Sequence, residues 1–166
     1  TTEIYTLSLH DALPIYNDFY ELFKIPGKLC DESLMECQCT DFGVGSGTMV
    51  DADQWFVFQG PANDGNISGW GFIGLYPEFR AWAKNRGETV RYTTSFLEAG
   101  TTTPSGDAIR PLKNPTQTDC WNGKAYTPTN ELTEGRTKYG SNNNIRILRY
   151  ADVLLMNAEK IGRAHV

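Results

Sequence analysis

Hydrophobic positions along this chain fall into four readable patterns separated by polar loops. Over Asp18–Lys24 (DFYELFK), Phe19, Leu22 and Phe23 recur at helical spacing and Pro26-Gly27 follows as a stop, which predicts a short helix. Over Ser33–Thr40 (SLMECQCT), Met35, Cys37 and Cys39 alternate with Leu34, Glu36 and Gln38, the period of a short half-buried strand. Pro77–Arg86 (PEFRAWAKNR) has proline at a first helical position, Glu78 at the positive end of the dipole and Gly87 as a left-handed cap. Its Phe79, Trp82, Ala83 and Arg86 share one face, so Trp82 is expected in the core. The fourth pattern, Asn142–Lys160 (NNNIRILRYADVLLMNAEK), leaves almost no polar face, which predicts a helix over Ile145–Glu159 buried nearly all round. It is too short, and too interrupted by Arg146, Arg149, Asp152 and Asn157, to span a bilayer. In ADQWFVFQ, Phe56 and Phe58 are expected on one side and Trp55 and Val57 on the other.

Between these elements, Asp41–Gly47, Gly60–Gly71, Gly100–Pro115 and Tyr126–Asn144 are rich in Gly, Asn, Thr, Ser and Pro and read as loops. Several long connections of this kind are rare in a compact domain unless the loops have a function. The expected fold class is mainly α with long irregular loops and minor β, in a helical scaffold that the chain contains only in part.

The two ends read differently from the middle. Residues 1–15 (TTEIYTLSLHDALPI) correspond to a translated frame of a common short-read sequencing adapter, and residues 160–166 (KIGRAHV) to its partner. Both are expected to be artefacts, leaving residues 16–159 as one partial domain from within a longer gene. The only histidines, His10 and His165, lie in those ends. Residues 16–159 therefore hold no histidine base, no Ser-His-Asp triad and no His-ligated metal. The ends carry Glu3, Asp11, Lys160 and Arg163, two charges of each sign, so the net charge of −5 is that of the middle. A mildly acidic chain without a basic cluster argues against nucleic acid as partner.

Four cysteines, Cys30, Cys37, Cys39 and Cys120, match neither zinc-ribbon nor CxxC spacing. Buried free thiols are expected, with a disulfide between Cys30 and Cys39, or involving Cys120, as the alternative in an exported protein. Asp51, Asp53 and the run Asn63-Asp64-Gly65-Asn66 offer oxygens to calcium without completing an EF-hand loop, so no cofactor is expected. Asp152 is expected to pair with Arg149 three residues earlier.

RYADVLLMNAE (149–159) closely resembles the signature helix of the SusD/RagB family, the surface glycan-binding lipoproteins of Bacteroidetes. Four upstream segments resemble that family in the expected order: DESLMECQCTD its "ES-I-FE-Q-D" strand, SGWGFIGLYPEFRAW its "GWG…P…L…F" segment, ETVRYTTSFLEAG its "DpRR" segment and WNGKAYTPTNE its "GyynxKyy" stretch. The third departs from the pattern, with Glu88 for the usual Asp and Arg91 alone for the arginine pair. The resemblance implies a tetratricopeptide-type helical scaffold holding long loops, without covalent chemistry. It also implies an outer-membrane lipoprotein at the extracellular face, whose anchor precedes this segment. Such a protein delivers oligosaccharide to a SusC-like TonB-dependent transporter.

Sugars are recognised by flat aromatic faces and by planar amides and carboxylates. Aromatic residues make up 12% of the chain. Trp70, between two glycines, and Trp121, in an Asn-Gly turn, are the candidate stacking residues, against burial in the scaffold, which is the commoner fate of large aromatic residues. Asn63, Asp64 and Asn66 are the candidate polar contacts, with turn chemistry as their other explanation. Two further functions stay open: a glycoside hydrolase, which needs two carboxylates roughly 5–10 Å apart beside a cleft, and a peptide-binding helical-repeat scaffold.

Overall fold

The computed structural model of the protein describes residues 16–42, 53–62, 67, 69–110, 118–133 and 140–164. Its elements run β1 (Ser33–Cys37), α1 (Trp55–Gln59), α2 (Pro77–Asn85), α3 (Val90–Ser95), β2 (Phe96–Glu98), β3 (Cys120–Asn122), β4 (Ile145–Arg149) and α4 (Tyr150–Ala164). Single 3-10 turns occur at Glu21–Phe23, Ile25–Gly27 and Thr129–Glu131. The strands form two antiparallel pairs, β1 with β4 and β2 with β3. The expectation of a mainly α fold with minor β therefore holds in part.

Several elements differ from their sequence pattern. The helix expected over Asp18–Lys24 is a single 3-10 turn, Glu21–Phe23, followed by a second at Ile25–Gly27 that contains Pro26. The Asp18 carboxylate accepts from the N–H groups of Tyr20 (2.7 Å) and Glu21 (3.1 Å) at the start of the first turn. The single helix expected over Ile145–Glu159 divides at Tyr150. Ile145–Arg149 pairs with β1 instead, in the extended backbone that β-branched Ile145 and Ile147 favour. Trp55–Gln59 is helical, so Phe56 and Val57 point inward together while Trp55 and Phe58 face solvent.

The core gathers around β2 and β3. Phe56, Ile67, Leu97, Ile109, Trp121, Ala125 and Tyr126 form one cluster, with Tyr20 and Ala99 against it. Ala83, Phe96 and Cys120 form a second, beside Leu75 and Tyr92. Helix α2 buries Ala83 in this core and sets the half-exposed Phe79 ring 5.4 Å from Phe96. Trp82, expected inside, is 53% exposed and stacks on Phe79 with ring centroids 5.7 Å apart. Ion pairs from Arg80 to Asp119 (2.8 Å) and from Lys84 to Glu98 (3.0 Å) tie the helix to β2 and the start of β3 instead.

The β1–β4 pair is held by polar groups as much as by its ladder. Asn143 donates to Phe23 O (3.0 Å), Asn144 to Glu36 Oε2 (2.7 Å), and Asn142 Oδ1 accepts from Asp41 N (2.7 Å). The asparagine run before β4 thus fastens three parts of the N-terminal segment. Arg149 donates to Glu32 (3.0 Å) and to Asp152 (3.2 Å), the second being the expected i, i+3 pair. Beyond it α4 rests on little: Val153, Leu155, Met156 and Ile161 are exposed, Leu155 by 61%. That corrects the expectation of a helix buried nearly all round. The helix continues past Glu159 to Ala164. No described helix is long and apolar enough to cross a membrane.

Candidate functional site

The Gly-Trp-Gly segment is laid down against the C-terminal end of α1. Gly69 N donates to Pro61 O (2.8 Å), Trp70 N to Val57 O (2.6 Å), Gly71 N to Gly60 O (2.8 Å) and Phe72 N to Phe58 O (3.1 Å). Two of these residues must be glycine. A Cβ on Gly69 would lie 2.7 Å from Val57 O and 2.8 Å from the Gly60 backbone, and Gly71 has φ of +70°.

The approach brings three rings together at the surface. Trp70 meets Phe58 edge to face, 5.0 Å between centroids at 81°, and meets Phe72 at 5.5 Å and 50°. Both are favoured aromatic geometries. Phe72 is 70% exposed, Phe58 39% and Trp70 half-buried. Phe58 and Phe72 are thus apolar surface outside the buried core clusters. The sequence pointed to Trp70; Phe58 and Phe72 become visible only once α1 and the Gly-Trp-Gly segment are seen side by side.

Trp121 has the other placement. It sits in β3 opposite Leu97, 4% exposed, packed in the cluster with Phe56 and Tyr126. Its indole N–H makes no hydrogen bond among the described residues. It offers no ring face to solvent, so the structure does not bring it beside Trp70 as a second stacking surface. Asn63, Asp64 and Asn66 lie outside the described residues, as does Asp51. Asp53 is buried, and its carboxylate accepts from Trp55 N at 2.7 Å.

The described cysteines are all free thiols. Cys120 is buried, and burial pushes its thiol up to about 12, which leaves it inert. Cys30 and Cys39 are half-buried and Cys37 is exposed, so the expected burial holds for Cys120 alone. Burial also moves the Cys39 thiol up, to about 11.

Sequence reasoning missed a buried charge. Lys24 is 1% exposed, with Nζ donating to Gly123 O (3.0 Å) and Tyr126 O (2.5 Å) and lying 5.0 and 4.8 Å from the Tyr20 and Tyr126 ring centroids. Burial lowers its pKa to about 7, while Glu131 and Asp53 pull the other way. Burial likewise raises Asp53 to about 6. The ammonium is spent on backbone carbonyls and two rings, so the group clamps the core and is not presented to a ligand. The carboxylates of Glu32, Glu36, Glu98 and Asp119 are each engaged by arginine or lysine, and Asp107 by Tyr126 and Thr129.

The sequence model of the SusD family matches residues 53–160. In three dimensions the chain is similar to a laminarin binding SusD-like protein, with a TM-score of 0.65 and 18% identity, covering 89% of this chain and 34% of that one. It is also similar to surface glycan-binding protein A from Bacteroides thetaiotaomicron, with a TM-score of 0.63 and 23% identity, covering 93% and 36%. At such identities the likeness is one of fold. The chain spans about a third of the length of these structures. No curated protein matches it.

Proposed function

This chain belongs to the SusD family, and from that premise we propose that its parent protein binds oligosaccharide non-covalently through the Phe58–Trp70–Phe72 rings. The observation that carries the reading is the exposure of these rings at fixed mutual angles on a backbone pinned by four hydrogen bonds. A sugar ring presents its C–H face to such a surface and keeps its hydroxyls in water or on neighbouring polar groups. Asn63, Asp64 and Asn66, between Ala62 and Ile67 in the sequence and close to Trp70 along it, are the residues proposed to supply those polar contacts.

The reading includes the rest of the family's role. The parent is an outer-membrane lipoprotein of the bacterial surface that passes its ligand to a SusC-like TonB-dependent transporter and performs no covalent chemistry. The ion pairs that engage Glu32, Glu36, Glu98 and Asp119 support a binding role over a hydrolytic one for these four, since a hydrolase needs two carboxylates facing a cleft. Isothermal titration of the chain with soluble polysaccharides, laminarin first, is the test. Saturable heat that falls in Trp70→Ala supports the reading; release of reducing sugar from the same polysaccharides would replace binding by hydrolysis.

A further inference from the structure

Trp55 stands one helical turn before Phe58 on the same side of α1. They are the two exposed residues of that helix, Trp55 by 47% and Phe58 by 39%, while Phe56, Val57 and Gln59 are buried. Residues three apart on a helix carry their Cβ atoms about 5–6 Å from each other. The indole therefore continues the aromatic surface past Phe58 toward the start of α1, whereas Trp70 and Phe72 dock at its end. Among the described residues no other ring and no cation lies against the Trp55 ring, and its indole N–H donates to no acceptor. Trp82 is the contrast: it is as exposed, but its ring stacks on Phe79 and is faced by Arg86.

The backbone of Trp55 is held more firmly than an exposed side chain needs. Its N–H donates to the buried Asp53 carboxylate (2.7 Å), and its carbonyl accepts from Nε2 of buried Gln59 (3.2 Å). Gln59 Oε1 accepts in turn from Asn122 (2.9 Å), and Asp53 N donates to Ser141 O (3.1 Å). Two buried polar side chains, each anchored to another segment, thus fix a residue whose ring is in water. A contact residue fixed beforehand loses less conformational freedom when a ligand arrives. Its open ring face suits the C–H side of a sugar, and its free N–H suits a hydroxyl.

We propose that Trp55 is a further contact of the Phe58–Trp70–Phe72 site, reached only by a glycan longer than a disaccharide, so that the site selects a chain of sugars over a short one. The proposal rests on the carbohydrate-binding reading of those three rings. The Phe58–Trp70 and Trp70–Phe72 steps, 5.0 and 5.5 Å, are each close to one pyranose unit, and Trp55 adds a step beyond them. The chain is labelled with nitrogen-15 in its tryptophan indoles, which are assigned by substitution. It is titrated with the disaccharides and hexasaccharides of β-1,3-glucan, α-1,4-glucan, β-1,4-mannan and β-1,4-xylan. At least one hexasaccharide shifts the Trp55 and Trp70 signals saturably, its disaccharide shifts Trp70 alone, and Trp121 stays still. Trp55→Ala weakens that hexasaccharide about twofold to tenfold, the equivalent of one aromatic stacking contact, and leaves disaccharide binding and melting temperature at the parent values. A Trp70 response beside an unmoved Trp55 overturns the proposal and leaves the three-ring site standing. A Trp55 signal that answers the disaccharide as fully as the hexasaccharide overturns it too, as does unchanged hexasaccharide affinity in Trp55→Ala. Silence of both signals toward every hexasaccharide overturns the three-ring site and this proposal together.

Discussion

The Trp70 ring meets the Phe58 ring at 5.0 Å and 81°, although the two residues belong to different segments and both reach solvent. Edge-to-face pairs of this kind contribute about 0.5–1.5 kcal/mol beyond the area they bury. Here that energy orients a half-exposed indole instead of filling a core. Trp70→Ala is expected to weaken polysaccharide binding several-fold to tens-fold with a small change in melting temperature. Trp121→Ala should show the opposite: a loss of about 3–5 kcal/mol of stability, as for other buried aromatic truncations. Calorimetric titration and thermal melts of the two variants check the pair, and equal stability losses would place Trp70 in the core as well.

Gly69→Ala is the backbone counterpart. Its Cβ would lie 2.7 Å from Val57 O and 2.8 Å from Gly60 Cα, so the segment must move off α1. Forced overpacking of this sort costs about 1–3 kcal/mol. Because Trp70 N donates to the same Val57 carbonyl, the indole moves too. The variant should lose stability and glycan affinity together, read by denaturant melts and titration. Retained affinity would show that the ring does not depend on this docking.

Lys24 gives stability a dependence on pH. Burial depresses its folded pKa to about 7 from the ordinary 10.5, so between those values the unfolded chain holds a proton that the folded chain lacks. Stability therefore rises with pH from about 7 toward 10.5, and below 7 the cost of burying the ammonium is fully present. Asp53 acts in the opposite sense: its folded pKa is raised to about 6, so its contribution falls as pH rises from about 4 to 6. Denaturant melts should place the least favourable point of these two contributions between pH 6 and 7. Lys24→Met should flatten the rise above pH 7, and an unchanged slope in that variant would assign the rise to another group.

Arg149 fastens the start of α4 to the turn before β1 through Glu32, with both side chains largely buried (14% and 6% exposed). Removing one partner of a buried pair leaves the other charge uncompensated, at about 3–5 kcal/mol. Arg149→Met should destabilise by that order, and Arg149→Met with Glu32→Gln should recover part of the loss. A double-mutant cycle by urea melts measures the coupling; additive losses would mean that the pair contributes nothing beyond its members.

Local chemistry wrote several features of this protein directly into its sequence. Pro77, Glu78 and Gly87 fix α2 because proline, an acidic first turn and a left-handed cap act within a few residues of themselves. Asp152 pairs with Arg149 three residues earlier for the same reason, whereas the strand expected over Ser33–Thr40 is present only as Ser33–Cys37 and without the expected half-burial, Leu34, Met35 and Cys37 all being exposed. RYADVLLMNAE and the segments before it likewise carried the family, and Gly-Trp-Gly pointed to Trp70. What the pattern could not supply depends on residues far apart in the chain. Hydrophobic periodicity gives a helix a face but not a neighbour, so Trp82 and Leu155 read as core and stand in solvent. Ile145–Arg149 has helical periodicity yet pairs as a strand, because a partner more than a hundred residues earlier offers a ladder. Lys24 reads as the polar end of a short helix. Only the approach of Gly123 and Tyr126 supplies the carbonyls and the ring that make a buried ammonium tolerable. The ring platform has the same origin: Phe58 and Trp70 become neighbours because the backbone of Gly69 fits where no side chain would.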